Sequence, residues 1–333
     1  MKSHSKLNKV IFILIPIFAL AGLSLITYSA FNQKYDASAV SATDFNAGNI
    51  ISDSVFYNKD AMSAQQIQDF LDRLMPSCYP YGQSVVSGFT PPYVCLKDYH
   101  ENPTTGETSF EKGGGAFAGG ISAAQIIYNA SQQYGINPQV LLVMLKKESL
   151  GPLTSDTWPV KNQYQYAMGY ACPDSGPGNT ANCSSEKAGF YKQIMLAAWQ
   201  FKYYKDHPND YRYSIGWNDI QYSPNTACGT KRVYIENIAT LSLYIYTPYT
   251  PNDEALANYP GTSNCGAYGN RNFFMFFSEW FGSTTDVKYT VKGLIRQRWG
   301  ELGYQNGKMG LPTGPETKRS GEIYWQDFEN GVI

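Results

Sequence analysis

Asn137-Pro-Gln-Val-Leu-Leu-Val-Met-Leu-Lys-Lys-Glu-Ser-Leu-Gly151 is the stretch on which the reading of the chain turns. Asn137 is a good N-cap, Pro138 suits the first helical position, and Gly151 followed by Pro152 predicts an abrupt stop. Within those limits Val140, Leu141, Met144 and Leu145 recur at helical spacing, and Glu148 falls on the same face, one turn after Met144. The apolar stripe therefore ends in a carboxylate. If that face points inward, desolvation and the negative end of the helix dipole both disfavour the charged form, as a general acid working near neutral pH requires. The alternative is a glutamate in a frayed last turn, reaching water beside Lys146 and Lys147.

Moving outward towards the N-terminus, Ser122 caps a helix through Tyr134 with Ile126, Ile127 and Ala130 inward and Gly135 as its stop. It forms a helical hairpin with the Glu148 helix. Ser63 caps a shorter helix over 64–74, with Ile67, Phe70, Leu71 and Leu74 as its stripe. Residues 31–115 otherwise read as a polar spacer, 31–62, and a disulfide-tied loop region rich in proline and glycine. Residues 1–30 carry Lys2, Lys6 and Lys9 ahead of an uncharged apolar run at 10–26, the pattern of an export signal that is either removed or kept as a single N-terminal membrane anchor.

Towards the C-terminus, Tyr164-Gln-Tyr-Ala-Met-Gly-Tyr-Ala-Cys172 crowds aromatic and amide groups into a loop that predicts a cleft wall. A long helix follows from about Glu186 to Lys205, then an aromatic loop over 211–229, a helix over 234–246, and an apolar helix from Asn270 to Trp280 stopped by Gly282. The expected class is thus mainly α, with one helical domain over 116–283. Beyond it, residues 284–333 hold Gly310-Leu-Pro and aromatic strand fragments, predicting a small repeat-type module of turns and short strands that ends part-way through its pattern.

Composition narrows the chemistry. The net charge is −1 with 16% charged residues, so no basic surface for nucleic acid exists. Histidine occurs only at 4, 100 and 207, with no HExxH and no CxxC, which disfavours zinc and Ser-His-Asp or Cys-His hydrolysis and leaves carboxylate chemistry. No metal or organic cofactor is implied. Twenty-seven tyrosines suit a surface that stacks on sugar rings. Six cysteines in an exported chain predict disulfides; fifteen pairings are open, and proximity favours Cys78 with Cys95, Cys172 with Cys183, and Cys228 with Cys265.

Four segments, in order, resemble the lysozyme-like lytic transglycosylases, all-α proteins that cleave the glycan strands of bacterial peptidoglycan. They are Glu148-Ser149, Ala167-Met168-Gly169-Tyr170, Glu236-Asn237-Ile238 with the later Tyr244, and Ala267-Tyr268-Gly269-Asn270. Gly169-Tyr170 departs from the family's Met-Gln step, and Gly269 stands where the family has Asn. Residues 136–281 are similar to exported actinobacterial-type wall proteins, and the tail resembles the LGFP repeat associated with cell-wall attachment. The resemblance implies Glu148 and Ser149 as catalytic residues and Met168, Tyr170, Asn237, Tyr244, Tyr268 and Asn270 as substrate contacts, to which the aromatic loop over 164–172 adds Tyr166. It also implies a single glutamate acting first as acid and then as base, where hydrolytic glycosidases generally use two carboxylates. The expected partner is the glycan strand of the cell envelope. Two other readings remain open: a non-catalytic wall-binding or adhesion protein on the same scaffold, and a disulfide-stabilised surface protein whose partner is another protein.

Overall fold

The computed structural model describes residues 40–149, 153–173, 175–177, 180–285, 289, 291, 293–302, 307–318 and 323–333. The apolar run at 10–26 and the Gly151-Pro152 stop lie outside the described residues. Among those described, no helix is long and apolar enough to cross a membrane.

The fold is mainly α. In chain order the helices are α1 (Asp53–Phe56), α2 (Ala64–Leu74), α3 (Ala123–Tyr134), α4 (Pro138–Glu148), α5 (Lys161–Gln165), α6 (Phe190–Asp206), α7 (Ile238–Tyr246), α8 (Asp253–Ala257), α9 (Gly269–Phe281) and α10 (Gly293–Glu301). Short antiparallel pairs join β1 (His100–Glu101) to β2 (Ile121–Ser122) and β3 (Gly216–Gln221) to β4 (Thr230–Ile235).

Helix α4 is the centre. Asn137 Oδ1 accepts from Gln139 N–H (2.8 Å), and the same side chain donates to the Val55 carbonyl (2.8 Å), so the cap also anchors α1. Every residue from Val140 to Leu145 is fully buried, so the helix is enclosed all round and not along one stripe only. Helices α3 and α9 pack against it, and α6 packs on α3 and α7. Each of these enclosed aliphatic side chains stabilises the fold by about 1.5–3 kcal/mol.

Three expectations are corrected. Residues 41–62 are no spacer: Ile50, Ile51 and Phe56 are fully buried, Ile50 N–H donates to Thr240 Oγ1 (3.0 Å), and Asn49 bonds to Glu236 and Asn237. Their apolar residues are too sparse for a periodic signal, but they pair with groups far along the chain. Residues 216–235 are not loop followed by helix. They form the β3–β4 hairpin, with Trp217 opposite Tyr234 and Asn218 opposite Val233. In Thr230-Lys-Arg-Val-Tyr-Ile the buried Val233 and Ile235 alternate with more exposed neighbours, and that two-residue period wins over the helical one. Helix α6 starts only at Phe190, because Gly189 at φ 109° lies outside helical geometry.

All three favoured disulfides are present: Cys78–Cys95, Cys172–Cys183 and Cys228–Cys265. They accord with an exported chain. The C-terminal module gathers Val291, Ile295, Trp299 and Phe328 into its own small core. Its strands pair as β5 (Thr317–Lys318) with β6 (Tyr324–Trp325) and β7 (Asp327–Phe328) with β8 (Gly331–Val332). Trp299 Nε1 donates to the Gly310 carbonyl (2.9 Å), and Gly310 is at φ 69° where a Cβ would lie 2.2 Å from Glu329 Oε2. The Gly310-Leu-Pro step is therefore a fixed turn under the module's tryptophan.

Candidate functional site

Glu148 is the last residue of α4, and the pair it forms with Lys147 is surrounded by four segments. Its Oε1 pairs with Lys147 Nζ, the lysine side chain being 6% exposed and the glutamate 23%. Lys147 Nζ also donates to Thr247 Oγ1 (2.9 Å), just past the end of α7. Oε2 faces the loop after α5: a Cβ built on Gly169 would stand 3.3 Å from it. A Cβ on Gly269, the first residue of α9, would stand 3.5 Å from Lys147 Nζ and 2.6 Å from Thr247 Cγ2. The apolar isolation expected for Glu148 is thus replaced by a carboxylate–ammonium pair. Neighbouring helical residues point about 100° apart and rarely meet, but in the last turn the long lysine stem folds back.

Next to this pair lies a hollow of about 330 Å³ lined by Gly169, Tyr170, Ala171, Cys172, Pro173, Gln200, Tyr204 and Tyr246. None of those residues is acidic. The Tyr246 hydroxyl donates to the Met168 carbonyl (2.6 Å), and its ring stacks on Phe201 at 5.0 Å. Burial, and then the Glu148 charge, push Tyr246 well above the usual phenol range. Burial also raises Tyr170 and Tyr204. The walls consequently stay neutral hydrogen-bonding groups through the physiological range.

The loop itself is held by Gln193, which is fully buried on α6. Its Oε1 accepts from Met168 N–H (3.3 Å) and Tyr170 N–H (3.1 Å). Its Nε2 donates to the carbonyls of Tyr170 (3.1 Å) and Lys187 (2.9 Å). Sequence reasoning missed Gln193, although a polar residue one turn after Phe190 on an apolar face is a readable signal. Thr247, Gln200 and Tyr204 were missed too.

The expected site residues divide. Glu148 faces Gly169, whose neighbours are Met168 and Tyr170, and Ser149 closes α4 through its N–H to Leu145 (3.1 Å). Tyr166 is half-buried and its carbonyl accepts Gly169 N–H (2.9 Å), which shapes the loop. The Met168 side chain is core. Asn237 is a buried N-cap whose Oδ1 accepts from Thr240 N–H (2.7 Å). Tyr244 is buried with its hydroxyl on the Ala47 carbonyl (2.9 Å), and Tyr246, nearly half a turn round the helix, takes the place expected for it. Tyr268 bonds through its hydroxyl to Ser263 and lies under the Arg271 guanidinium at 4.7 Å. Asn270 is buried and donates to the carbonyls of Thr247 (2.9 Å) and Tyr249 (2.8 Å). It supports Thr247 and lines no part of the hollow.

Among the described residues no group of three or more histidine, cysteine or acidic side chains could hold a metal ion. A family model described as LasA, N-terminal domain, matches residues 49–286, from the packed segment ahead of α1 to just past α9. No curated protein and no solved structure matches the chain.

Proposed function

Since the chain belongs to the family described as LasA, N-terminal domain, we propose that it is a cell-wall-active protein whose substrate is the glycan strand of peptidoglycan, cleaved at Glu148. The observation that carries this reading is the convergence of four separate segments on the Lys147–Glu148 pair, beside a tyrosine-lined hollow of about 330 Å³. Tyrosine walls give flat amphipathic faces for sugar rings and hydroxyls for their oxygens.

In this reading Glu148 takes up a solvent proton on Oε2, the oxygen on the Gly169 side, while Lys147 donates to Oε1, and delivers that proton to the glycosidic oxygen. The C1–O bond breaks with its electron pair leaving on that oxygen. The carboxylate then removes the proton of the muramoyl C6 hydroxyl as O6 bonds to C1, leaving a 1,6-anhydro end and restoring the acid. Water in place of the C6 hydroxyl makes the same site a muramidase. The C-terminal module, with its Gly310-Leu-Pro turn, serves as a wall-attachment element of LGFP type.

A second reading is favoured by the Lys147 pair: the hollow acts as a glycan clamp with no chemistry. Mass spectrometry of purified sacculi incubated with the protein separates the two. Soluble muropeptides with anhydro ends are expected. Co-sedimentation with sacculi and no soluble product would leave the clamp.

A further inference from the structure

Among the described residues, the carboxylate that the proposed cleavage needs is gripped on one side only. Lys147 Nζ holds Oε1, while Oε2 is left towards Gly169 and the hollow. The lysine is itself gripped: Thr247 Oγ1 accepts from it at 2.9 Å, and Asn270 Nδ2 donates to the Thr247 carbonyl at 2.9 Å. Gly269 is what lets this grip exist, since a side chain there would collide with Thr247 and crowd the ammonium. The glycine that departs from the motif pattern therefore has a use.

Stability does not account for the arrangement. An ammonium 6% exposed has lost most of its hydration, and replacing such a pair by apolar groups of similar volume is often neutral or stabilising. Lysine is almost never so buried unless it is paired. We propose that Lys147, anchored by Thr247, is a positioning residue that fixes the Glu148 carboxylate so that Oε2 meets the glycosidic oxygen. This rests on the assignment of Glu148 above.

The test measures initial rates against increasing concentrations of purified sacculi for the full chain carrying Lys147→Met, Thr247→Val, both together, or Glu148→Gln. Lys147→Met lowers kcat about 30- to 100-fold with KM within about threefold, as expected when a reacting group is misplaced and binding is not. Thr247→Val, which leaves both charges in place, lowers kcat about 3- to 10-fold. The double variant is no slower than Lys147→Met, because Thr247 acts through the lysine. If Lys147→Met does not fold, Thr247→Val decides alone, and a wild-type kcat in it overturns the proposal. Wild-type kcat in Lys147→Met, or full additivity in the double variant, overturns it likewise while a dead Glu148→Gln leaves the cleavage reading standing. An active Glu148→Gln removes that reading and the positioning role together.

Discussion

At the scale of single residues, the difference between a substrate contact and a structural cap is testable at Asn237. Its side chain caps α7 and bonds to Asn49, both buried, and it faces no hollow. Asn237→Ala should lower unfolding stability by about 1–2 kcal/mol, read by thermal or urea denaturation, while the rate on sacculi per folded molecule stays unchanged. A selective loss of rate would return Asn237 to the site. The same scale shows what a sequence can and cannot convey. Glu148 at the end of an apolar helix was legible, because a cap, a proline and a periodic stripe define that helix locally. Its pairing with Lys147 was not, since adjacency on a helix argues against contact. Tyr244 and Tyr246 could be told apart only by knowing which face of α7 meets Met168 and which meets Ala47.

At the scale of elements, helices with local punctuation were legible: Ser63 and Ser122 cap α2 and α3, Gly135 closes α3 at φ 70°, and Gly282 closes α9. The β3–β4 hairpin was not, because its two-residue period competes with a helical one, and the segment before α1 was not, because its partners are distant in sequence. Helix α6 has a start that no local cap announces: buried Glu101 reaches across to accept from Tyr191 N–H (2.9 Å) and from the Tyr99 hydroxyl (2.8 Å). Burial pushes Glu101 above the usual carboxylate range despite those two bonds. An acid whose folded value is raised contributes stability that is complete below its unfolded value and is lost as pH rises through the folded one. Gln at 101 keeps both acceptor contacts and does not titrate. The melting temperature of Glu101→Gln should therefore gain on wild type as pH rises above the ordinary glutamate value of about 4. A gap constant with pH would contradict the burial of an ionisable group there.

At the scale of the whole molecule, the C-terminal module is tied to the helical domain through Arg296, whose guanidinium pairs with Glu236, itself 1% exposed in its side chain. Burial raises Glu236, with the Arg296 charge opposing, and Asn49 Nδ2 donates to its other oxygen (3.1 Å). Removing the cation leaves a buried carboxylate with less compensation, so Arg296→Met should cost about 3 kcal/mol, seen as a lower melting temperature of the full chain. A loss below about 0.5 kcal/mol would mean that the tie is a surface pair of little weight. This joint was not legible in the sequence, because an arginine on a weakly amphipathic helix announces no partner. The central claim, that the Glu148 carboxyl group of the Lys147–Glu148 pair cuts the glycan, is tested most directly by release of soluble muropeptides from purified sacculi by the wild-type chain and by Glu148→Gln at equal folded concentration. Release by the wild type with anhydro-ended products, and none above background from the variant at an unchanged melting temperature, is the predicted result; equal release from both would contradict it.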